Sequence, residues 1–260
     1  MLYLNIENKF STEVKMKEVL YTIPMNDALN ADTECPLCYI EKDVEQDLLD
    51  YVLGSCSSYM EADTRALTDA EGFCRNHFKK MFEYGNTLGN GWILKTHYMT
   101  VSRELKDQIK HFKPIKQSLK DRIKGSGEPN NSMTKWVKEK ENSCYICKRF
   151  DETFDRYIAT FFHLYKNDAD FRQKLSKSKG FCLSHFGILC NEAMDAIPEK
   201  DKDEFYSMMF RLMEENMDRL KEDVSWLVEK FDYKNKDADW KNSKDAVQRG
   251  MQKLKGGIYG

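Results

Sequence analysis

The chain is poor in residues that reverse chain direction, with 13 Gly and 5 Pro among 260 residues. Collagen-like, low-complexity and turn-rich all-β architectures are excluded, because each needs such residues far more often. Net charge is also scarce: 41 basic against 43 acidic side chains leave −2. That balance gives no global attraction to nucleic acid or to an anionic lipid surface. No apolar run approaches the ~18 residues of a bilayer span, and the stretch from Met1 to Lys9 lacks the basic head and apolar core of a secretory leader. The expectation is a helical, cytoplasmic protein. Cysteine, by contrast, is plentiful, with eight in the chain. In a reducing compartment, and in a chain long enough to bury a core without covalent staples, paired cysteines predict metal binding rather than disulfides.

The cysteines fall into a duplicated pattern. Cys35-Pro-Leu-Cys38 is followed by Gly72-Phe-Cys74-Arg-Asn-His77, and Cys144-Tyr-Ile-Cys147 by Gly180-Phe-Cys182-Leu-Ser-His185. The second and third cysteines are separated by 35 residues in the first copy and 34 in the second. Leu67 aligns with Leu175, Thr68 with Ser176 and Phe78 with Phe186, so the match extends beyond the candidate ligands. Duplication is the simplest account.

Between the motif halves the pattern is helical: Val44, Leu48, Tyr51 and Val52 in the first copy, and Phe150, Phe154, Tyr157, Ile158, Phe161 and Tyr165 in the second. Each copy predicts an outgoing helix of about four turns, ending near Gly54 and Lys166, and a shorter return leg to Gly-Phe-Cys. The spacing suits an antiparallel hairpin closed at its open end. It leaves open whether a CxxC joins the CxxH of its own copy or of the other. Downstream, Leu94, Tyr98, Val101, Leu105, Ile109 and Phe112 predict a long amphipathic helix, and a broad stripe from Phe205 to Leu227 predicts another over about 203–231. A last helix is expected with Trp240, Lys244, Val247, Met251 and Leu254 in register, ending at Gly256-Gly257. Within residues 1–30, Val19 to Ile23 suggests one short extended piece.

These readings divide the chain into an N-terminal segment (1–30), a first repeat (31–124), a linker (125–133), a second repeat (134–232) and a C-terminal helix and tail (233–260). The fold expected is all-α: two tandem zinc-clamped helical hairpins with long amphipathic helices, related by a pseudo-twofold and closed by the C-terminal helix.

A CxxC turn presents two thiolates and a CxxH turn one thiolate and one imidazole. Cys35, Cys38, Cys74, His77, Cys144, Cys147, Cys182 and His185 therefore supply two Cys3His sets, matched to tetrahedral Zn²⁺, two ions per chain. With four protein ligands, neither ion keeps a position for water or substrate, which predicts structural rather than catalytic sites. A redox dithiol is the first alternative, although no βαβ pattern surrounds either CxxC. An iron–sulfur cluster is the second, but such clusters usually take four cysteines, so Cys56 or Cys190 would have to replace a histidine. Both of those cysteines read as buried or half-buried free thiols.

Other candidates carry plainer readings. His97 reads as a hydrogen-bonded interior or boundary histidine, with a catalytic grouping of His97, Glu61, Asp63 and Arg65 as the competing idea. His111 and His163 have no partner by spacing. The net +5 over 103–124 reads as a solvated basic face, with phosphate contact as the alternative. Met208 to Met217 reads as core rather than as an adaptable groove. The functional expectation is a structural or interaction module with an unknown protein partner, no membrane association and no catalytic residue.

Taken together, Cys35-Pro-Leu-Cys38, Met60-Glu-Ala-Asp-Thr-Arg65, Gly72-Phe-Cys-Arg-Asn-His-Phe78, Gly85-Asn-Thr-Leu-Gly89 and Lys95-Thr-His97 resemble an uncharacterised family of cysteine-rich proteins from anaerobic Firmicutes. The resemblance covers about residues 20–230 and implies a bacterial cytosolic setting without an assigned activity. Asn90-Gly91-Trp92 departs from the apolar continuation of that pattern and leaves the start of the following helix in question.

Overall fold

Helices account for all the regular secondary structure of the computed structural model, which describes residues 20–54, 61–113 and 131–257. The first, α1, covers 20–30. The extended piece expected near residues 19–23 is thus helical over its described part, because β-branched residues in a short run weakly oppose a helix that tertiary packing favours.

Helix α2 (Pro36–Leu53) begins inside the first CxxC, and α7 (Tyr145–Asn167) begins inside the second. Both are longer than four turns because the motif itself forms their first turn; Pro36 suits that position, where no intrahelical N–H is required. Between them lie α3 (Ala62–Glu71), α4 (Arg75–Tyr84), α5 (Thr87–His111) and α6 (Ser132–Glu141). After α7 come α8 (Ala169–Ser176), α9 (Leu183–Ala196), α10 (Glu199–Glu229), a short 3₁₀ turn (Tyr233–Asn235) and α11 (Ala246–Lys255). Asn86 caps α5, its side chain accepting from the Gly89 N–H at 2.9 Å, so Asn90-Gly91-Trp92 lies inside a continuous helix. Residues 125–130 of the expected linker lie outside the described residues, and its end enters α6.

The chain divides into two compact units that do not follow the repeats. One comprises Met1–Val44 and Thr153–Gly260, the other Glu45–Glu152. The core of the smaller unit joins Leu49, Val52 and Leu53 of α2 to Phe73, Met81, Ile93 and the Cys144-Tyr-Ile146 turn. In the larger unit Phe161 is wholly buried, with Phe162, Phe171 and Phe181 rings at 5.2, 5.6 and 5.8 Å. Phe205, Met209, Leu212, Met213 and Leu220 of α10 are buried, as a core reading of the Met-rich stripe requires.

Two apolar stripes are not buried as their periodicity suggests. On α5 only Gly89 and Ile93 are buried, while Tyr98 and Ile109 are 67% and 60% exposed. The C-terminal helix starts at Ala246, later than Trp240, and turns its Val247, Met251 and Leu254 outward. Its buried face carries Ala246, Gln252 and Lys253 instead. The reason is electrostatic. Glu34, itself 1% exposed, is paired with Arg219, Arg249 and Lys253, and the Lys253 ammonium also donates to the carbonyls of Glu34 and Lys179. A buried carboxylate requires such partners, so a lysine outcompetes the aliphatic face for the interior.

Truncating Phe161 to Ala removes the ring that three other phenylalanines pack against. The expected loss is about 4 kcal/mol in chemical denaturation of metal-replete protein.

Candidate metal centres

Two quartets of donors converge. Cys35, Cys38, Cys182 and His185 form one, and Cys74, His77, Cys144 and Cys147 the other, with the donor atoms of each within 4.8 Å of one another. All eight residues singled out from sequence are brought together, but crosswise: each CxxC meets the CxxH of the other copy. The pairing that the spacing left open is thus between the copies, and neither hairpin closes on its own CxxC.

Helix length accounts for the crossing. Helix α2 spans ~27 Å and α3 only ~15 Å at 1.5 Å per residue, so the return leg ends opposite the middle of α2 rather than at its N-terminus. His77 accordingly meets Glu45, ten residues beyond Cys35 (Nε2 to Oε1 3.2 Å). His185 likewise meets Phe154, ten residues beyond Cys144 (ring centroids 5.3 Å). The CxxC that fills the remaining corner comes from the other copy. In the smaller unit the Tyr145 N–H donates to the Gly72 carbonyl at 2.9 Å, and Glu71 pairs with Arg149 at 2.8 Å and Lys148 at 3.1 Å.

The Gly-Phe-Cys triplet has a definite task. Gly72 and Gly180 adopt φ of +64° and +74°, a left-handed turn that side chains rarely permit. A Cβ on Gly72 would also stand 2.7 Å from the His97 ring. The following Phe73 and Phe181 are buried, which anchors the cysteine that opens the next helix.

In the first quartet His185 Nδ1 lies 3.3, 3.5 and 3.3 Å from the sulfurs of Cys35, Cys38 and Cys182, and Cys38 and Cys182 are 3.8 Å apart. In the second, His77 Nδ1 lies 3.3, 3.2 and 3.4 Å from Cys74, Cys144 and Cys147, with Cys74 and Cys147 3.8 Å apart. These separations are far beyond a disulfide bond of ~2.05 Å. Each imidazole turns its other nitrogen to a glutamate: His77 to Glu45, and His185 to Glu41 at 3.1 Å. Carboxylates behind ligating histidines fix the ring and its tautomer. Sequence reasoning missed Glu41 and Glu45. Their spacing of one turn on α2 was a usable signal only once the histidines' destination was known.

The quartets differ in exposure. Every donor of the first is buried, whereas Cys74 and Cys147 of the second are half-buried. The Gly256 backbone seals the first: a Cβ there would lie 3.4 Å from the Cys182 sulfur and 3.5 Å from that of Cys38.

Burial disfavours a charged His77, yet hydrogen bonds to Cys144 and Glu45 prevail and raise its pKa to about 10. His185 is raised against burial in the same way, through Cys182, Cys35 and Glu41, to about 12. Burial raises the Cys147 thiol to about 12, and the neighbouring Cys144 adds to the shift.

The remaining candidates do not assemble into a catalytic group. His97 Nδ1 bonds the Asp69 carbonyl at 2.9 Å and its ring packs on Gly72, at the C-terminal end of α3. Glu61 and Asp63 are exposed at the N-terminal end of that helix. His111 and His163 make local contacts with Asp107 and Asn167. Cys190 is half-buried and outside both quartets, and Cys56 lies outside the described residues. Arg103, Lys106 and Lys110 of the basic stretch are exposed, while Lys116 to Lys124 lie outside the described residues. Among the described residues no helix is long and apolar enough to cross a membrane.

Two predictions follow from the donors and their carboxylates. Glu45→Gln should weaken metal binding about 10- to 100-fold at the second quartet alone, and Glu41→Gln at the first, read by chelator competition. The raised imidazole pKa favours the metal-free fold below the unfolded value of 6.5, and that advantage is lost as pH rises through about 10. Metal must displace those protons, so affinity should increase from pH 6 to 9, about tenfold per unit for each proton released, in the same competition assay.

No curated protein and no solved structure matches the chain. A family model does, over residues 16–260. The chain belongs to the family of unknown function described as DUF6062.

Proposed function

We propose that both quartets hold structural zinc and that the protein is a cytosolic interaction module whose helices the two ions fasten together. The observation that carries this reading is the donor geometry. A tetrahedron with Zn–S of ~2.3 Å and Zn–N of ~2.0 Å has S···S edges of ~3.8 Å and S···N edges of ~3.5 Å. In each quartet one sulfur–sulfur edge is 3.8 Å, the sulfur–nitrogen edges are 3.2–3.5 Å, and all donors lie within 4.8 Å of one another. An iron–sulfur cluster fits less well, since several metal atoms and bridging sulfides would push the thiolates apart, and such clusters usually use four cysteines. Three thiolates and an imidazole close the coordination sphere, which favours stabilisation over catalysis.

An interaction role is supported by the apolar side chains that α5 leaves exposed, chiefly Leu88, Tyr98, Met99 and Ile109. Large apolar groups in solvent are otherwise unfavourable, and a set of them on one helix suits a binding surface.

Elemental analysis of protein purified without added metal should give two zinc ions per chain. Structural zinc binding is worth ~10 to 16 kcal/mol in small metal-dependent domains, more than the usual stability of a fold. Removing the ions with a strong chelator should therefore abolish cooperative unfolding followed by circular dichroism. A purified chain with no metal, or one whose melting is unchanged by chelation, contradicts the proposal.

A further inference from the structure

The two quartets share one motif and one donor set, yet they present their sulfurs to solvent differently. Cys35, Cys38 and Cys182 are 0%, 1% and 0% exposed, and the Gly256 backbone lies against two of these sulfurs. Cys74 and Cys147 are half-buried, and their sulfurs are 3.8 Å apart. Cys74 also lines a cleft of about 750 Å³ with Phe73, Arg75, Trp136, Val137 and Lys140. A small solute can enter there. Arg75, Lys140 and Glu141 give the cleft a polar lining, with the Lys140 ammonium paired to Glu104 at 2.7 Å. The donors of the first quartet are all buried.

We propose that the second quartet is a peroxide-responsive zinc–thiolate site, in which Cys74 is the sulfur attacked and Cys147 the one that resolves it, while the first quartet is inert. The proposal rests on zinc occupying both quartets. The co-reactant is a hydroperoxide. The Cys74 thiolate attacks the terminal peroxide oxygen and the O–O bond breaks; the sulfur becomes a sulfenic acid, and the departing oxygen takes a proton as water or an alcohol. The Cys147 thiolate then attacks that sulfur, the S–S bond forms, and the expelled hydroxide takes a second proton as water. Two thiolates lose two electrons in total, the peroxide gains them, and two protons come from solvent. Zinc then retains only Cys144 and His77 as donors and leaves as the dication.

The test uses the reduced, full-length, metal-loaded chain and hydrogen peroxide in small excess, with released zinc read by a chromogenic chelator and cysteine pairing by peptide mass mapping. The starting count of zinc tests the structural-zinc reading separately, since a chain that begins without two ions refutes that reading before any peroxide is added. From a count of two, the expected result is release of one ion per chain, a Cys74–Cys147 disulfide, and Cys35, Cys38 and Cys182 still reduced. Release of neither ion, parallel release of both, or a disulfide between other ligands overturns the proposal. Cys147→Ser should stop the disulfide. Because that variant can fail to fold, substoichiometric iodoacetamide on the native loaded chain gives an independent reading. Cys74 should be alkylated before Cys35, Cys38 and Cys182, and equal labelling of the four overturns the assignment.

Discussion

The fold depends on the convergence of six thiol sulfurs and two imidazole nitrogens into two tight quartets. Buried thiolates repel one another and are poorly solvated in an apolar interior, so a group of three needs a compensating cation or protons. The shifted imidazoles express the proton solution, and a divalent ion is the alternative to it. Either way, the donors set the paths of the helices that carry them. The CxxC turns open α2 and α7, and the CxxH turns open α4 and α9, so each quartet ties two helix N-termini. Partial positive charge at those termini favours the thiolate form.

Crossed pairing makes the duplicated halves depend on each other. A CxxC separated from the other copy's CxxH would leave a pair of thiols without its partners. The compact units therefore cut across the repeats, and the chain segments of both copies contribute to each. Helix α2 carries a glutamate for each histidine, Glu41 and Glu45, one turn apart. No such pair stands on α7, whose residue ten beyond its first cysteine is Phe154, packed on the His185 ring. The donors thus match between the two motif sets while the groups behind them differ.

The environments of the two quartets also differ, and the C-terminal helix borders only the first. Its Gly256 lies on the sulfurs of the first quartet, and Lys253 enters the interior beside Glu34. Burial lowers the Lys253 pKa from the usual lysine value, opposed by the Glu34 carboxylate. The second quartet has α6 nearby instead, with Trp136 and Val137 bordering a cleft that reaches Cys74.

The donor set was legible in the sequence because it is local chemistry: a CxxC or CxxH turn brings its two donors together whatever the rest of the chain does. The helices between the motifs were legible for the same reason, since a 3.6-residue period is a property of one segment. The outward face of α5 and the inward Lys253 were not, because periodicity shows which face is apolar and not whether another element covers it. Nor was the choice of partner for each CxxC. That was decided by the shortfall of α3 against α2, by Glu71 with Arg149, and by burial around the Gly-Phe-Cys turns, contacts between segments tens of residues apart. The sequence by itself determined eight donors and the helices bearing them, because both are written in short-range spacing. Only the tertiary structure decided which four donors meet and which quartet is sealed, because both follow from helix lengths and packing acting over the whole chain.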